Sequence, residues 1–331
     1  NMDSERRNIV LVTFDSLRAD HCGFVNDESD LTPNLDNIAR TGATFQKAVA
    51  PGPRTAISVP EFLTGEPMAR YDADTDEERM ASIRKHIDRN ETVAERLADD
   101  GYSTAAFSAN PWTSEETGIA DAFETFQRVD TTDEPPLVHK PGFRLLSGTS
   151  AGTGLYYLES WWKKRKNFAQ WPVFFDDIVE HVSELPEPYF VWIFLMDSHN
   201  PYLVPREDRV DNSTLGMYYG MVRGNSKFRH VERDSYLKQN LSEGVRQRVT
   251  GAYRDAVRSV DRFAGQLTDS LADDNPIFVF HADHGEALGE HDSYGHQDVL
   301  YEENIHVPVL IADTAANSTT EQSDVTEPFS L

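Results

Sequence analysis

Cysteine and long apolar runs are scarce in this sequence. A single cysteine, Cys22, stands among 331 residues, so the chain forms no internal disulfide and holds no metal cluster through thiolates. No apolar run approaches the length of a membrane span, and the charged N-terminus lacks the apolar core of a signal peptide. These absences predict a protein of a reducing compartment, which we expect to be the cytoplasm, with no membrane span.

Positive charge is also scarce. Asp and Glu total 56 against 31 Lys and Arg, of which only 8 are lysines, and the formal net charge is −25. Such a chain repels nucleic acid and anionic lipid, so neither is an expected partner. An acidic, lysine-poor surface suits a protein kept soluble at very high salt, where screening removes the cost of self-repulsion. The composition therefore predicts a halophilic protein, with an ordinary acidic cytosolic protein as the alternative.

The sequence does contain short apolar runs that alternate with helical patterns. The runs are β-branched and aromatic, too short for helices and bounded by polar residues, so each predicts a buried strand. The four runs are Ile9–Phe14, Ser103–Phe107, Tyr189–Leu195 and Ile277–His281. The clearest helical patterns are Leu35–Thr41, Glu91–Asp99 and Val245–Asp269. The alternation predicts an α/β fold with a mainly parallel central sheet flanked by helices.

The domain organisation follows from length and periodicity. A chain of 331 residues can form one large domain or two of ordinary size. The periodicity is weak near residues 130–167 and 211–239, and the first of these segments is rich in glycine. We predict one domain over residues 1–331, with insertions or mobile loops at those two places.

Polar side chains follow the four predicted strands directly. They are Asp15, Asn110, Asp197, His199, Asp283 and His284. In sheets of this kind, ligands bind beyond the carboxyl ends of the strands. Asp15 and the Asp283–His284 pair offer carboxylate oxygens and an imidazole, which suit a divalent ion. Each aspartate taken singly is better explained as a turn or cap residue, but their joint placement favours a metal site.

The loop APGPRTAISVPEFLTG carries two hydroxyls, those of Thr55 and Ser58, ahead of a helix-like stretch. Backbone amides and the helix dipole could hold an anion there, although helix capping is the better explanation of either residue from local sequence alone. Two histidines elsewhere could act on such an anion, His199 in FLMDSHNPY and His296 in HADHGEALGEHDSYGHQ. A histidine in that position can donate to a substrate oxygen or protonate a leaving group.

Six segments carry motifs in a characteristic order. They are VTFDSLRADHCG, TPNLDNIARTGATFQKAVA, GYSTAAFSAN, FLMDSHNPYLVP, YRDAVRSVDRFAGQL and HADHGEALGEHDSYGHQDVLYEENIHVPVLI. Together they resemble the sulfatases and their relatives in the alkaline phosphatase superfamily, over most of the chain. The resemblance implies that family's α/β fold. It also leads us to expect that the family's C-terminal subdomain is missing, since the sequence stops shortly after VPVLI.

The resemblance implies one divalent ion held by Asp15, Thr55, Asp283 and His284. Donors of this kind suit Mn, Ca or Mg and tolerate Zn. Thr55 would be the nucleophile, because coordination lowers the pKa of an otherwise unreactive hydroxyl. Two histidines, His199 and His296, are expected to act as catalytic donors to the transferred group.

The expected substrate contacts are Asn110 and Arg54. Asn110 and His296 stand roughly where sulfatases have lysines that contact sulfate, and Ser16 replaces a second metal aspartate. Thr55 stands where sulfatases carry the cysteine that becomes formylglycine. Neither the five residues from Thr55 nor the five from Ser58 match the maturation pattern C/S-x-P-x-R. A plain threonine nucleophile instead resembles the phosphodiesterases and phosphoglycerol transferases of the superfamily.

These features predict a metal-dependent hydrolase or transferase that acts through a threonine. The expected substrate is a phosphate or sulfate ester of a small molecule, a glycan or a lipid. One alternative is a sulfate ester hydrolase that works without formylglycine. The other is a binding protein that has kept the fold and lost turnover, because fold alone does not fix function.

Overall fold

The protein is described here by a computed structural model. It describes residues 6–68, 75–129, 152, 155, 169–228, 241–296, 298–313 and 323–331. The insertion predicted near residues 130–167 lies outside the described residues apart from positions 152 and 155, and so does the end of the segment at 211–239.

A central sheet of eight strands organises the described chain. Two further sheets in the described chain have two strands each. The strands of all three sheets, in chain order, are β1 (Ile9–Phe14), β2 (Gly42–Phe45), β3 (Ala48–Val49), β4 (Ser103–Ser108), β5 (Thr125–Arg128), β6 (Tyr189–Leu195), β7 (Ile277–Ala282), β8 (Ala287–Leu288), β9 (Tyr294–Gly295), β10 (Val309–Asp313), β11 (Ser323–Val325) and β12 (Phe329–Ser330). The two small sheets pair β3 with β12 and β8 with β9. The central order is β11-β2-β10-β7-β1-β6-β4-β5. Every neighbouring pair in it is parallel except the two that β10 makes. The predicted mainly parallel sheet is therefore confirmed.

Helices flank the sheet on both faces. They are α1 (Pro33–Ala39), α2 (Thr55–Thr64), α3 (Asp76–Ile87), α4 (Val93–Asp99), α5 (Phe175–Glu184), α6 (Thr214–Phe228), α7 (Glu243–Ser270) and α8 (Glu302–Ile305). Capping boxes start α3 and α4, where Thr75 pairs with Glu78 and Thr92 with Glu95. The three predicted helices and four predicted strands all form, with ends shifted by no more than about two residues, as is usual at frayed ends.

Two hydrophobic cores lie on opposite faces of the sheet. Strand β6 is buried along its whole length and serves both. Its residues Val191 and Ile193 pack in the core under α1, α5, α6 and α7, while Phe190 and Trp192 pack in the core under α2, α3 and α4. Alternation along one strand thus fixes the sheet between two helical layers, as buried parallel sheets require.

Helix α6 lies in the segment 211–239, which we predicted to be an insertion or a mobile loop. Residues Thr214–Phe228 of that segment form a helix and not a loop. Met217 and Met221 are buried in the core beside α7. A Cβ atom on Gly220 would lie 2.9 Å from Arg248 Cβ, so glycine permits the two helices to approach closely. Glycines of this kind weaken helix propensity, and packing against α7 supplies the missing stability.

Buried Asp255 on α7 holds the turn before α6. Its carboxylate accepts hydrogen bonds from the backbone amides of Val210, Asp211 and Asn212 at 2.8 to 3.2 Å.

Within the described part of the chain, no helix combines the length and apolar character needed to cross a membrane.

Candidate active site

The candidate site lies where strands β1 and β7 end, side by side. These two strands pair in parallel, with Phe14 opposite Ala282, so the residues that follow them meet at one edge of the sheet. Asp15 follows β1, and Asp283 and His284 follow β7. The predicted metal ligands are therefore brought together by the sheet itself, at the edge where such folds bind ligands.

Asp15, Asp283 and His284 form a buried group that could hold a metal ion. One ligand atom from each lies within 4.8 Å of the others, and all three side chains are fully buried. His284 Nε2 lies 3.5 Å from Asp15 Oδ1 and 3.5 Å from Asp283 Oδ2. The opposite ring nitrogen, Nδ1, donates to the carbonyl oxygen of Gly285 at 2.8 Å. This bond fixes the tautomer and leaves the Nε2 lone pair facing the two carboxylates.

The electrostatics of this group fit a cation. Burial, reinforced by the neighbouring charge of Asp283, raises the pKa of Asp15. Burial also raises the pKa of Asp283 to about 7, although the Thr55 hydroxyl opposes the shift. Asp283 Oδ2 has no hydrogen-bond partner among the described residues. Two buried carboxylates are costly when ionised without a cation, and oxygen donors with one imidazole suit a divalent ion.

Thr55 is the first residue of α2 and lies against the metal group. Its side chain is 6% exposed, and Oγ1 lies 3.4 Å from His284 Nε2. Ser58, the other candidate hydroxyl, is engaged elsewhere: its Oγ donates to Gly52 O at 2.8 Å and accepts from Gly52 N at 3.1 Å. Ser58 therefore braces the loop, and Thr55 is the hydroxyl that reaches the metal group.

Asn110 also lies at this edge, where it contacts a predicted metal ligand. Its Nδ2 donates to Asp15 Oδ2 at 3.0 Å, and its Oδ1 accepts from Trp112 N at 2.9 Å. Both polar atoms of the side chain are thus engaged within the protein. This geometry gives Asn110 the role of orienting Asp15.

Ser16 supports the same carboxylate from the other side. Its Oγ donates to Asp15 Oδ1 at 2.8 Å, and its backbone is left-handed, with φ of 65°. Tyr253 on α7 secures this strained residue, because its hydroxyl donates to Ser16 O at 2.8 Å and accepts from Arg18 N at 3.0 Å. A left-handed serine costs on the order of 1 kcal/mol and persists only where its surroundings hold it.

The predicted catalytic histidines lie beside the metal group. The His296 ring centroid is 4.6 Å from that of His284 and 5.1 Å from that of His199. His199 Nδ1 donates to Asn200 O at 2.6 Å, which directs its other nitrogen away from the backbone. Burial and the nearby His199 lower the pKa of His296 to about 3. His296 is therefore neutral at neutral pH, so it can donate a hydrogen bond without adding charge.

Glu286 is a member of the site that our sequence reasoning missed. The side chain is fully buried, and neither oxygen has hydrogen-bond geometry with a described residue. Its Oε2 lies 3.5 Å from His296 Nδ1, and burial raises its pKa. The available signal was its spacing, since it stands two residues after His284 in the segment HADHGE.

Two other predicted residues are engaged by protein groups. Asp197 accepts a hydrogen bond from Trp171 N, at 3.2 and 3.3 Å to its two oxygens, so it anchors the turn after β6. Arg54, expected to bind substrate, precedes Thr55, and its Nε lies 2.8 Å from Asp298 Oδ1.

Known proteins resemble the chain in sequence and fold. It is 22% identical over 339 residues to an arylsulfatase of Clostridium perfringens (strain 13 / Type A), covering 92% of this chain and 68% of that protein. The fold is similar to a phosphonate monoester hydrolase of Agrobacterium radiobacter, with a TM-score of 0.64 at 17% identity, covering 98% of this chain and 71% of that one. It is also similar to the soluble domain of lipooligosaccharide phosphoethanolamine transferase A from Neisseria meningitidis, with a TM-score of 0.61 at 17% identity, covering 96% and 79%.

The family assignment rests on a match along nearly all of this chain. The chain spans 56% to 68% of the length of the curated relatives that it matches. The sulfatase family model matches residues 7–329, from just before β1 to the start of β12. That range contains every candidate ligand, hydroxyl and histidine described above, and the chain belongs to the sulfatase family.

Proposed function

We propose that this chain is a metal-dependent ester hydrolase or transferase that uses Thr55 as its nucleophile on a phosphate or sulfate ester. The observation that carries the proposal is the position of Thr55 Oγ1, 3.4 Å from His284 Nε2 and beside two buried carboxylates. Relatives named as an arylsulfatase, a phosphonate monoester hydrolase and a phosphoethanolamine transferase support this class of reaction.

One divalent ion fits the site, and its ligands would be Asp15, Asp283 and His284, with Thr55 completing the set. When bound, such an ion lowers the pKa of a hydroxyl and stabilises negative charge on the oxygens of the transferred group. Mn, Ca and Mg all suit these donors, and Zn is compatible with them. The buried carboxylates then have the cation that their environment requires.

Side chains of the protein would carry out the remaining steps of the reaction. Thr55 Oγ1 would attack phosphorus or sulfur in line, forming a covalent ester as the bond to the leaving alcohol breaks. The rings of His199 and His296 lie beside the metal group. His296 would donate to a nonbridging oxygen, and His199, whose Nδ1 proton is held by Asn200 O, would do so through Nε2 only in its protonated form. Asn110 and Ser16 hold Asp15 through hydrogen bonds and so keep the ligand set in place. Water or an acceptor hydroxyl would then release the group.

A phosphate-type ester is the leading substrate class, because a threonine cannot follow the formylglycine route. A sulfate ester cleaved without formylglycine is the second candidate, and the names of the curated relatives favour it. The net charge of −25 further supports a protein that works at high salt.

The test combines metal content with turnover at high salt. Elemental analysis of the wild type should find one divalent ion per chain, and Asp283→Ala should lose it. The wild type should turn over a bis-aryl phosphate or an aryl sulfate reporter. Thr55→Ala should abolish turnover of the reporter that represents the true substrate class, and it should still bind the ion. Thr55→Ser is the matched control, since it preserves the hydroxyl.

The outcomes separate three functions. Turnover of the phosphodiester that needs Thr55 would establish the leading proposal, and turnover of the sulfate that needs Thr55 would establish the second. A metal-free protein that turns over neither reporter would contradict both. That result would instead favour a binding protein that has kept the same fold.

A further inference from the structure

Arg18 is a nearly buried cation in the loop that follows β1. Its side chain is 7% exposed, although those of its partners Asp20 and Glu290 are 49% and 41% exposed. Nε and Nη2 donate to the two carboxylate oxygens of Asp20 at 2.9 and 2.6 Å. Nη1 donates to Glu286 O at 3.1 Å and to Glu290 Oε1 at 2.8 Å. Every nitrogen of the guanidinium is therefore engaged by the protein.

These contacts join the two loops that carry the candidate metal ligands. Arg18 stands three residues after Asp15, in the loop that follows β1. Its partners Glu286 and Glu290 belong to the segment that follows β7, where the bond to Glu286 O falls two residues beyond His284. The guanidinium thus connects the two loops at points close in sequence to a ligand on each.

Tyr253 on α7 extends this connection to the carboxylates of the metal group. Its hydroxyl accepts from Arg18 N at 3.0 Å and donates to Ser16 O at 2.8 Å. Ser16 in turn contacts both carboxylates, since its Oγ donates to Asp15 Oδ1 at 2.8 Å and its backbone amide to Asp283 Oδ1 at 3.3 Å. A displacement of Arg18 is therefore transmitted through Tyr253 and Ser16 to both ligands.

We propose, on the basis of the function proposed above, that Arg18 is a positioning residue that holds the loops after β1 and β7 at the separation that the divalent ion requires. Its planar fork binds two carboxylates and a carbonyl in a fixed geometry, which the single ammonium of a lysine does not reproduce. Groups that orient metal ligands commonly contribute about ten- to a hundredfold to metal affinity. The affinity of the site for its ion then depends on a residue outside the ligand set.

The test measures Mn²⁺ affinity and folding stability separately in the same full-length variants. Arg18→Ala should weaken Mn²⁺ binding at least about tenfold in a calorimetric titration. Arg18→Lys keeps the charge and loses the fork, so its affinity should lie between those of Arg18→Ala and the wild type. Full wild-type affinity in Arg18→Lys would overturn the role of the fork. Denaturant unfolding in the presence of a chelator gives the stability of each protein without the ion.

Arg7 provides the matched control, because it makes similar contacts before the start of β1. Its side chain is 31% exposed, and it donates to both carboxylate oxygens of Asp313 and to the carbonyl oxygen of Asn275. These contacts lie at the edge of the sheet opposite to the metal group. Arg7→Ala should therefore lower stability and leave the Mn²⁺ affinity unchanged. Equal losses of Mn²⁺ affinity in Arg7→Ala and Arg18→Ala would show that affinity follows global stability, and would overturn the proposal.

Glu290→Gln tests the same connection without removing a buried group, and it decides the matter if Arg18→Ala does not fold. Glu290 Oε2 also accepts from Leu288 N at 2.7 Å, a bond that glutamine can keep. Loss of the ion pair with Arg18 should weaken Mn²⁺ binding about threefold. Asp313→Asn, which removes the carboxylate partner of Arg7, should leave the affinity unchanged. Wild-type Mn²⁺ affinity in Glu290→Gln, or equal losses in the two variants, would overturn the proposal.

The inference can fail separately from the proposed function. If the wild type binds one Mn²⁺ and turns over an ester reporter through Thr55, while Arg18→Ala binds Mn²⁺ as tightly as the wild type, the inference alone is overturned. A wild type that binds no divalent ion would overturn the inference together with the metal-dependent function.

Discussion

Divalent metal binding at Asp15, Asp283 and His284 should release protons, with a pH dependence set by Asp283. Burial raises the pKa of this carboxyl to about 7, while the bound ion requires its ionised form. Below pH 7 a proton must leave before the ion can bind, so the apparent affinity falls as pH falls. Between pH 8 and pH 6 the ionised fraction drops about tenfold, which sets the minimum loss of affinity.

The neighbouring groups do not reverse the direction of this pH dependence of metal affinity. Asp15 also has a raised pKa, so its protonation weakens binding in the same direction. His284 has a pKa lowered to about 4 by burial and stays neutral across this range. The loss of metal affinity on acidification therefore comes from the two carboxylates.

Calorimetry provides the assay. Titration of Mn²⁺ in two buffers of different ionisation enthalpy gives the number of protons released, about half a proton at pH 7 and nearly one at pH 6 for Asp283 alone. Asp283→Asn should lose both metal binding and proton release. Asp261 is a buried aspartate away from the site, so Asp261→Asn should keep both. An affinity that stays constant from pH 6 to pH 8 with no proton release would refute the reasoning.

Three further predictions concern single residues. Thr55→Ala should abolish turnover while keeping the Mn²⁺ affinity within about tenfold, whereas loss of the ion in this variant would make Thr55 mainly a ligand. Tyr253→Phe removes the hydroxyl that holds Ser16, and should lower the free energy of unfolding by about 1 kcal/mol in denaturant titrations; an unchanged midpoint would show that Ser16 is held by other contacts. Burial raises the pKa of Asp261 to about 6, so its folded form binds more protons than its unfolded form between pH 4 and pH 6. From pH 7.5 to pH 5.5, the wild type should therefore gain about 1 kcal/mol of stability relative to Asp261→Asn, and parallel curves for the two proteins would contradict the shift.

The elements that could be predicted from sequence are those whose signal is local. The runs Ile9–Phe14 and Tyr189–Leu195 form strands with the predicted bounds, because both are buried central strands whose composition is set by burial on two faces. Asp15, Asp283 and His284 directly follow such strands, so their meeting at one edge follows from the parallel order of the sheet.

The rest depended on contacts between distant parts of the chain. The pairing of Arg54 with Asp298 joins two loops that no periodicity connects, and so does the bond from Asn110 to Asp15. Apart from its spacing from His284, Glu286 resembles a surface glutamate in sequence, and only the surrounding fold buries it. Helix α6 was missed because its stability comes from packing against α7 and not from its own propensity.

The central place of β1 has a consequence for how this protein is made. Thr13 on β1 contacts His281 on β7, although 268 residues separate them in sequence. At the usual rate of synthesis, roughly 10 to 50 seconds pass between the emergence of these two strands from the ribosome. The apolar run Ile9–Phe14 lacks its neighbour β6 for roughly the first two thirds of that time and its neighbour β7 for all of it, so the nascent chain depends on chaperones or on temporary contacts to stay unaggregated. Asp15 meets Asp283 only after that interval, so an ion held by both residues could not guide the early steps of folding.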